Sequence, residues 1–202
     1  MRIVVIGATG TIGRAVVSRL ASRHEVIHVA HSQGDYRVDL ASADSIRAFY
    51  ERVGAIDAVV SAAGMARFKP LEQLTDEDFS VSLHNKLMGQ VNLVRLGLRA
   101  MRDNGSFTLT SGVLARQPMP GSAAISLVNA GIEGFVRAAK LELPRGIRVN
   151  AVSPGWVRET LVALKMDPSG GMPADQVARA YVESVESRRN GEIIETGTVA
   201  TR

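Results

Sequence analysis

Apolar residues along this chain alternate between short continuous runs and longer segments with helical spacing. The run Ile3-Val4-Val5-Ile6 is apolar at every position, which is typical of a strand covered on both faces of a parallel sheet. Similar runs recur over the whole length. Strands are therefore predicted at Arg2–Ile6, Glu25–Ala30, Arg37–Val38, Ile56–Val60, Ser106–Thr110, Arg148–Val152 and Glu192–Ile194.

Helices are predicted between these strands, over residues 11–22, 42–52, 75–101, 122–143 and 173–187. The clearest start is Thr75, because it is followed by Asp-Glu-Asp and so combines an N-cap with an acidic first turn. Asn104-Gly105 is the predicted stop. The alternation of strands and helices predicts an α/β fold, a single doubly wound parallel sheet with helices on both faces, in one domain over residues 1–202.

A glycine-rich loop joins the first strand to the first helix. Glycine permits the tight turn, and the missing Cβ lets a pyrophosphate approach the N–H groups at the helix N-terminus. This position favours a dinucleotide-binding Rossmann domain over a glycine turn without a ligand. The cofactor-binding residues predicted here are Gly7, Thr9, Gly10, Thr11, Ile12 and Gly13.

The second predicted strand ends in His31-Ser32 and lacks an acid at that point. A carboxylate there binds the ribose 2′-hydroxyl of NAD, whereas a histidine and a serine suit the 2′-phosphate of NADP. NADP is therefore favoured over NAD, with His31 and Ser32 as ligands. The alternative is that His31 is a solvated loop residue.

Composition excludes several classes of protein. The chain has no cysteine, so disulfides and thiolate chemistry are absent, and no metal site is expected. The net charge is only +4, which gives little support to a nucleic-acid partner. No apolar segment reaches the length of a membrane span, and we expect a soluble, cytoplasmic protein without a membrane partner.

Further motifs resemble those of the short-chain dehydrogenase/reductase family. Asp39-Leu40 is similar to the family's adenine-contacting position, Ser61-Ala-Ala-Gly64 to its Asn-Asn-Ala-Gly turn, and Asn150-Ala-Val-Ser-Pro-Gly155 to its segment beside the nicotinamide. The resemblance implies an NAD(P)-dependent oxidoreductase acting on a small carbonyl or alcohol substrate. It adds these cofactor-binding residues: Asp39, Leu40, Ala62, Ala63, Gly64, Pro154, Gly155, Val157 and Thr160.

The family's catalytic serine, tyrosine, lysine and asparagine are only partly present. Alignment on the motifs keeps Ser111 but puts Ile125 in the place of the tyrosine and Asn129 in that of the lysine. Lys86 takes the place of the asparagine, so a lysine and an asparagine have exchanged positions. The predicted catalytic residues are Ser111, Lys86 and Asn129. No tyrosine occurs between residues 51 and 180.

Two functions remain open at this point. One is an NADP-dependent reductase or dehydrogenase with an altered proton donor, in which Lys86 polarises a carbonyl or binds an anion. The other is a non-catalytic NADP(H)-binding sensor or scaffold. The short segment at about 160–173 implies a reduced lid over the substrate.

The family also pairs through the two long helices, so a homodimer is expected. The apolar residues predicted to extend beyond the core-facing stripe of these helices are Leu93, Leu96, Leu98, Val128, Ile132 and Val136.

Overall fold

The computed structural model describes residues 1–196 and contains one sheet of seven parallel strands. The strand order is β3-β2-β1-β4-β5-β6-β7, so the order reverses between β1 and β4. This confirms the predicted doubly wound fold. Residues 197–202 of the predicted domain lie outside the described residues. The strands are β1 Arg2–Ile6, β2 Glu25–Ala30, β3 Tyr36–Arg37, β4 Ile56–Ser61, β5 Met101–Thr110, β6 Arg148–Ser153 and β7 Ile193–Glu195.

Helices cover both faces of this sheet. Val4 and Ile6 belong to a core cluster that includes residues of the second, fourth and fifth helices, whereas Ile3 and Val5 belong to a second cluster with the first and last helices. Successive residues of β1 are therefore both buried, which explains its continuous apolar run. The α-helices are α1 Thr11–Leu20, α2 Ala43–Val53, α3 Asp76–Ser82, α4 Gly89–Gly97, α5 Ala123–Ala139, α6 Arg158–Ala163 and α7 Ala174–Glu186.

The helix predicted over 75–101 is interrupted by a π-helical turn. Thr75 caps it as predicted, and its side chain and that of Asp78 form a reciprocal capping box. The π turn, Leu83–Met88, separates α3 from α4. Such turns are often found at functional sites, and this one carries Lys86.

The boundary between α4 and β5 differs from the prediction. The helix ends at Gly97, which packs so tightly on Tyr50 that a Cβ there would lie 2.6 Å from the ring. The strand begins at Met101, opposite Ile56, and its register shifts before Ser106. The predicted stop at Asn104-Gly105 thus lies inside the strand, where Asn104 adopts a φ of 60°.

The segment predicted as a reduced lid contains a six-residue helix, α6, that the sequence pattern did not indicate. Met172 pairs with Val157 through a parallel β-bridge, which ties the end of the segment back to the start of α6. Throughout the part of the chain that the structure describes, no helix is both long enough and apolar enough to cross a membrane.

Candidate functional site

The glycine loop is shaped by backbone contacts that admit no side chain. Gly7 has a φ of 82°, and a Cβ on it would lie 2.7 Å from the carbonyl oxygen of Ala62. A Cβ on Gly13 would lie 1.9 Å from the carbonyl oxygen of Gly7. Gly7 is therefore required by the close approach of the turn after β4, and Gly13 by the close approach of α1 to the loop.

The N-terminus of α1 is arranged to receive an anion. Gly10 is its N-cap, no side chain of the described residues caps the helix, and the first turn contains no acidic residue. The N–H groups of Thr11, Ile12 and Gly13 have no acceptors within a helix at these positions. Thr9 and Thr11 are exposed beside them, so the predicted phosphate-binding residues come together at one place.

A cavity of about 410 Å³ opens beside this loop, at the point where the strand order reverses. Ligands of doubly wound folds bind at such a point. Asp39 is not among the lining residues, and its carboxylate accepts a hydrogen bond from the N–H of Ala41 at 2.9 Å. The lining contains several predicted cofactor residues and consists of Ile6, Gly7, Ala30, His31, Val38, Leu40, Ala63, Gly64, Met65 and Asn85.

The rim of the cavity at the end of β2 carries His31, and Ser32 is exposed beside it. The first acid after them is Asp35, whose carboxylate accepts a hydrogen bond from the N–H of His28 at 2.8 Å. This carboxylate therefore serves the turn between β2 and β3. The rim of the cavity thus carries a histidine, while the carboxylate of Asp35 is hydrogen-bonded within the turn between β2 and β3.

Lys86 is buried between the turn that follows β4 and the end of β5. Its side chain passes Gly64, where a Cβ would lie 2.9 Å from Lys86 Cγ, and its Nζ lies 3.4 Å from the carbonyl oxygen of Ser111. The residue is 8% exposed. Burial removes water from the ammonium group and lowers the pKa of Lys86 to about 8.

The hydroxyl of Ser111 is engaged elsewhere. It donates a hydrogen bond to Glu133 Oε1 at 3.2 Å, so the carbonyl of Ser111, rather than its hydroxyl, meets Lys86. Glu133 is itself buried in α5 and is bound by Arg116 at 3.4 Å and Arg137 at 3.0 Å. The two guanidinium groups compensate the buried carboxylate.

Asn129 lies against the residue that follows Ser111. A Cβ on Gly112 would lie 2.7 Å from Asn129 Nδ2, and Asn129 is 2% exposed. Its Oδ1 is buried and has no hydrogen-bond partner within residues 1–196. Lys86 and Asn129 thus contact adjacent residues, and the structure brings the three predicted catalytic residues together.

No tyrosine hydroxyl lies beside this group in the described chain. Ile125, one turn before Asn129 on α5, is half-buried. Tyr181 of α7 is fully buried, and its hydroxyl lies 2.7 Å from Thr110 Oγ1. Desolvation raises the pKa of Tyr181, and the residue belongs to the core cluster shared by the first and last helices.

The segment after β6 lies next to the residues that follow β5 at the same edge of the sheet. The carbonyl of Pro154 accepts a hydrogen bond from the N–H of Val113 at 2.9 Å, and Val157 is buried. Thr160 lies in α6, with Gly155 between it and β6. Trp156 meets Phe68 edge-on, with ring centroids 6.5 Å apart, which places an aromatic pair beside the segment that follows β6.

Sequence reasoning missed the residues that support the site. Gln90 is buried, donates to the carbonyls of Lys86 and Thr110, and accepts from the N–H of Thr110 at 2.7 Å, which fixes the π turn on β5. Asn85 accepts a hydrogen bond from the N–H of Met65 at 2.7 Å. Glu133 follows Asn129 by four residues, a spacing that places it on the same helix face and was the available signal.

Comparison with known proteins agrees with this geometry. The model of the family described as Enoyl-(Acyl carrier protein) reductase matches residues 2–201. The chain is 32% identical to hydroxynaphthalene reductase arp2 of Aspergillus fumigatus over 69% of its own length and 55% of that protein. It is 28% identical to oxidoreductase UcpA of Escherichia coli K12, over 82% of this chain and 65% of UcpA. The chain thus spans between about half and two thirds of these relatives.

Two solved structures are similar over almost the whole chain. The protein lin1944 from Listeria innocua is 43% identical, with a TM-score of 0.93 over 96% of this chain and 98% of that one. A small-chain dehydrogenase solved in complex with NADPH is 26% identical, with a TM-score of 0.85 over 96% and 95% of the two chains. Together with the family match, these likenesses establish that the chain belongs to the short-chain dehydrogenase/reductase family.

Proposed function

We propose that the protein is an NADP(H)-dependent oxidoreductase that interconverts a carbonyl group and an alcohol in a small molecule, with Lys86 as the proton donor in place of a tyrosine. The observation that carries this proposal is the buried Lys86 Nζ, 3.4 Å from the Ser111 carbonyl. This ammonium shares a sheet edge with the glycine loop. We propose that a single domain holds the cofactor and the substrate.

The residues present fit a nicotinamide dinucleotide. The glycines that a Cβ would obstruct and the uncapped N-terminus of α1 suit a pyrophosphate, and the neighbouring cavity suits the adenosine. His31 at the rim, with Asp35 engaged by His28, favours NADP over NAD. When bound, the nicotinamide supplies or accepts a hydride. Asn129 Oδ1, which has no hydrogen-bond partner among the described residues, is suited to accept a hydrogen bond from a hydroxyl of the cofactor or substrate.

Lys86 supplies the charge and the proton in this scheme. An ammonium in a dry site stabilises negative charge that develops on a carbonyl oxygen. A group with a pKa of about 8 also donates a proton readily near neutral pH. Glu133 and its arginines hold Ser111, and thereby the carbonyl that Lys86 contacts.

Cofactor binding and turnover test this proposal separately. Trp156 is the only tryptophan, so its fluorescence can be used to follow cofactor binding. We expect NADPH to bind at least about tenfold more tightly than NADH. A panel of aldehydes, ketones and alcohols, followed by nicotinamide absorbance, should give turnover that Lys86→Met abolishes and the exposed control Lys140→Met retains. Cofactor binding without turnover on a broad panel would refute the catalytic proposal.

A non-catalytic NADP(H)-binding protein is the second candidate. It is favoured by Ile125 in place of the tyrosine and by the engagement of the Ser111 hydroxyl with Glu133. Here NADPH and NADP⁺ should differ in affinity, or a partner should bind in the presence of only one of them. Equal affinities without such a partner would leave this candidate unsupported.

We propose a homodimer, but on different residues from those the sequence indicated. Leu93, Val128, Ile132 and Val136 are fully buried within the single chain. The exposed face of α5 instead carries small residues with Leu127, which is 49% exposed. Light scattering should give a dimeric mass for the wild type and a monomeric mass for Leu127→Arg. A monomeric wild type at micromolar concentration would contradict the proposal.

A further inference from the structure

A separate cavity lies at the opposite edge of the sheet from the glycine loop. It has a volume of about 690 Å³ and opens between α2 and α4, at the turns that lead into β4 and β5. Because the strands are parallel, these turns mark the amino ends of the strands, whereas the glycine loop follows the carboxyl end of β1. We call this cavity the arginine cleft. Its lining consists of Arg47, Tyr50, Glu51, Gly54, Ala55, Arg95, Leu96, Arg99 and Ala100.

The arginine cleft carries a positive charge. Three guanidinium groups and one carboxylate line it, which gives the lining a formal charge of +2 at neutral pH. The carboxylate belongs to Glu51, which forms no ion pair with any of the three arginines within residues 1–196. In the same part of the chain, the exposed guanidinium of Arg99 has neither a hydrogen-bond partner nor an ion pair. The cleft therefore contains more positive charge than its own residues balance.

The other two arginines keep most of their donors as well. Arg95 donates from Nε to Oδ1 of Asn92 at 2.6 Å, and Asn92 is 7% exposed, so a buried amide orients this guanidinium by one of its three nitrogens. Arg47 pairs with Asp44, which is exposed and lies one turn earlier on α2. An ion pair of this kind contributes little and is readily exchanged for a more highly charged anion.

The lining arginines are not needed to satisfy the ends of the two helices. Both α2 and α4 end at the cleft, and unpaired carbonyls at such ends attract cations. At the end of α2, Arg2 Nη1 donates to the carbonyls of Val53 at 2.6 Å and Ala55 at 3.1 Å. At the end of α4, Arg145 donates to the carbonyl of Leu98. Neither of these capping arginines lines the cleft, so the guanidinium groups that do line it remain for a ligand.

We propose that the arginine cleft binds a small molecule that carries two linked phosphate groups. The planar guanidinium group donates paired hydrogen bonds to phosphate oxygens, and a charge of +2 favours an anion of more than one charge. The phenolic hydroxyl of Tyr50 is not available to such a ligand, because it donates to the carbonyl of Leu93 at 2.8 Å. This site goes beyond the proposed oxidoreductase activity, since it lies at the other edge of the sheet and requires no cofactor.

Inorganic pyrophosphate is the probe that tests this proposal. Calorimetric titration at low ionic strength, where exposed charges are least screened, should give a Kd of about 1 mM or less. The double variant Arg95→Met, Arg99→Met should weaken binding about tenfold or more, because it removes two charged donors. Arg188→Met is the matched control, since Arg188 is exposed and lies outside the cleft, and it should bind as the wild type does. Urea unfolding should show that all three proteins are equally stable.

Chemical modification locates the bound anion. Phenylglyoxal modifies arginine side chains, and peptide mass spectrometry reads the rate at each one. Pyrophosphate should slow the modification of Arg95 and Arg99 about fivefold or more and leave Arg188 unaffected. This readout is needed because the glycine loop is itself suited to a pyrophosphate, and Arg14 of α1 lies beside that loop.

Three results would overturn the proposal. They are no measurable binding of pyrophosphate, protection of Arg14 with equal affinity in the wild type and the double variant, and binding of duplex DNA or RNA by these arginines without binding of pyrophosphate. The second result would place the anion at the glycine loop, and the third would make the cleft part of a surface for a polymer. The oxidoreductase proposal is judged by turnover and is not affected by any of them.

Discussion

The candidate site divides into a backbone half, at the ends of β1 and β4, and a side-chain half, at the end of β5. At the ends of β1 and β4 the site consists of backbone, and contacts such as that of Gly13 on the carbonyl of Gly7 leave no room for a side chain. At the end of β5 it consists of side chains, among them those of Lys86 and Asn129, which contact Ser111 and Gly112. A site made of backbone constrains the sequence sterically, whereas a site made of side chains can change its chemistry without changing the fold.

The largest expected effect comes from obstructing the backbone half. Gly13→Val would place atoms within 2 Å of the Gly7 carbonyl, so α1 must move away from the loop. We expect loss of NADPH binding and a fall in the free energy of unfolding of about 3 kcal/mol. Tryptophan fluorescence titration and urea unfolding measure the two. Gly170→Ala is the control, because a Cβ there meets no atom of residues 1–196 within 4 Å, and NADPH binding by a folded Gly13→Val would contradict the steric argument.

Changing the side-chain half should have the opposite effect on stability. The pKa of Lys86 falls from its ordinary value of 10.5 to about 8 on folding. The unfolded chain therefore binds more protons between these values, and wild-type stability rises with pH through that window. Below pH 8 the full free-energy cost of burying the Lys86 ammonium is present. Lys86→Met removes this cost and should therefore raise the free energy of unfolding at pH 7 by about 3 kcal/mol. The same substitution should abolish turnover.

The pH dependence of unfolding checks this second prediction. Urea titrations of wild type and Lys86→Met at pH 7 and pH 10 should show the stability difference shrinking as the pH rises. A difference that does not depend on pH would assign the gain to packing alone and contradict the burial of a charged amine. Lys140→Met is again the control and should match the wild type at both pH values.

The same contrast explains what the sequence could predict. The helix cap at Thr75 and the burial of β1 on both faces follow from local sequence patterns, and the structure contains both. The glycine spacing likewise encodes a turn. The direction of the Ser111 hydroxyl depends on Glu133, which is twenty-two residues away, and the early start of β5 depends on pairing with Ile56. These are tertiary contacts, and no local pattern specifies them.

A third prediction concerns the charge at the rim of the backbone half. His31→Asp places a carboxylate where a 2′-phosphate would bind and where a 2′-hydroxyl could donate a hydrogen bond. We expect the ratio of NADPH to NADH affinity to fall about tenfold or more, which corresponds to about 1.4 kcal/mol. Fluorescence titration with both cofactors measures it. His31→Ala should weaken NADPH binding without strengthening that of NADH, and an unchanged ratio in His31→Asp would place the 2′-position elsewhere.

The smallest expected effect distinguishes two roles for Ser111. Its hydroxyl donates to Glu133, which keeps two arginines when the hydroxyl is removed. Ser111→Ala should therefore cost about 1 kcal/mol of stability and lower turnover by less than about tenfold. A hydroxyl that stabilises charge on the substrate would instead be worth about a hundredfold or more in kcat. A loss of that size, with unchanged cofactor affinity, would show that Ser111 turns towards the substrate during the reaction. The side-chain half would then retain one more element of the family's chemistry than its resting geometry indicates.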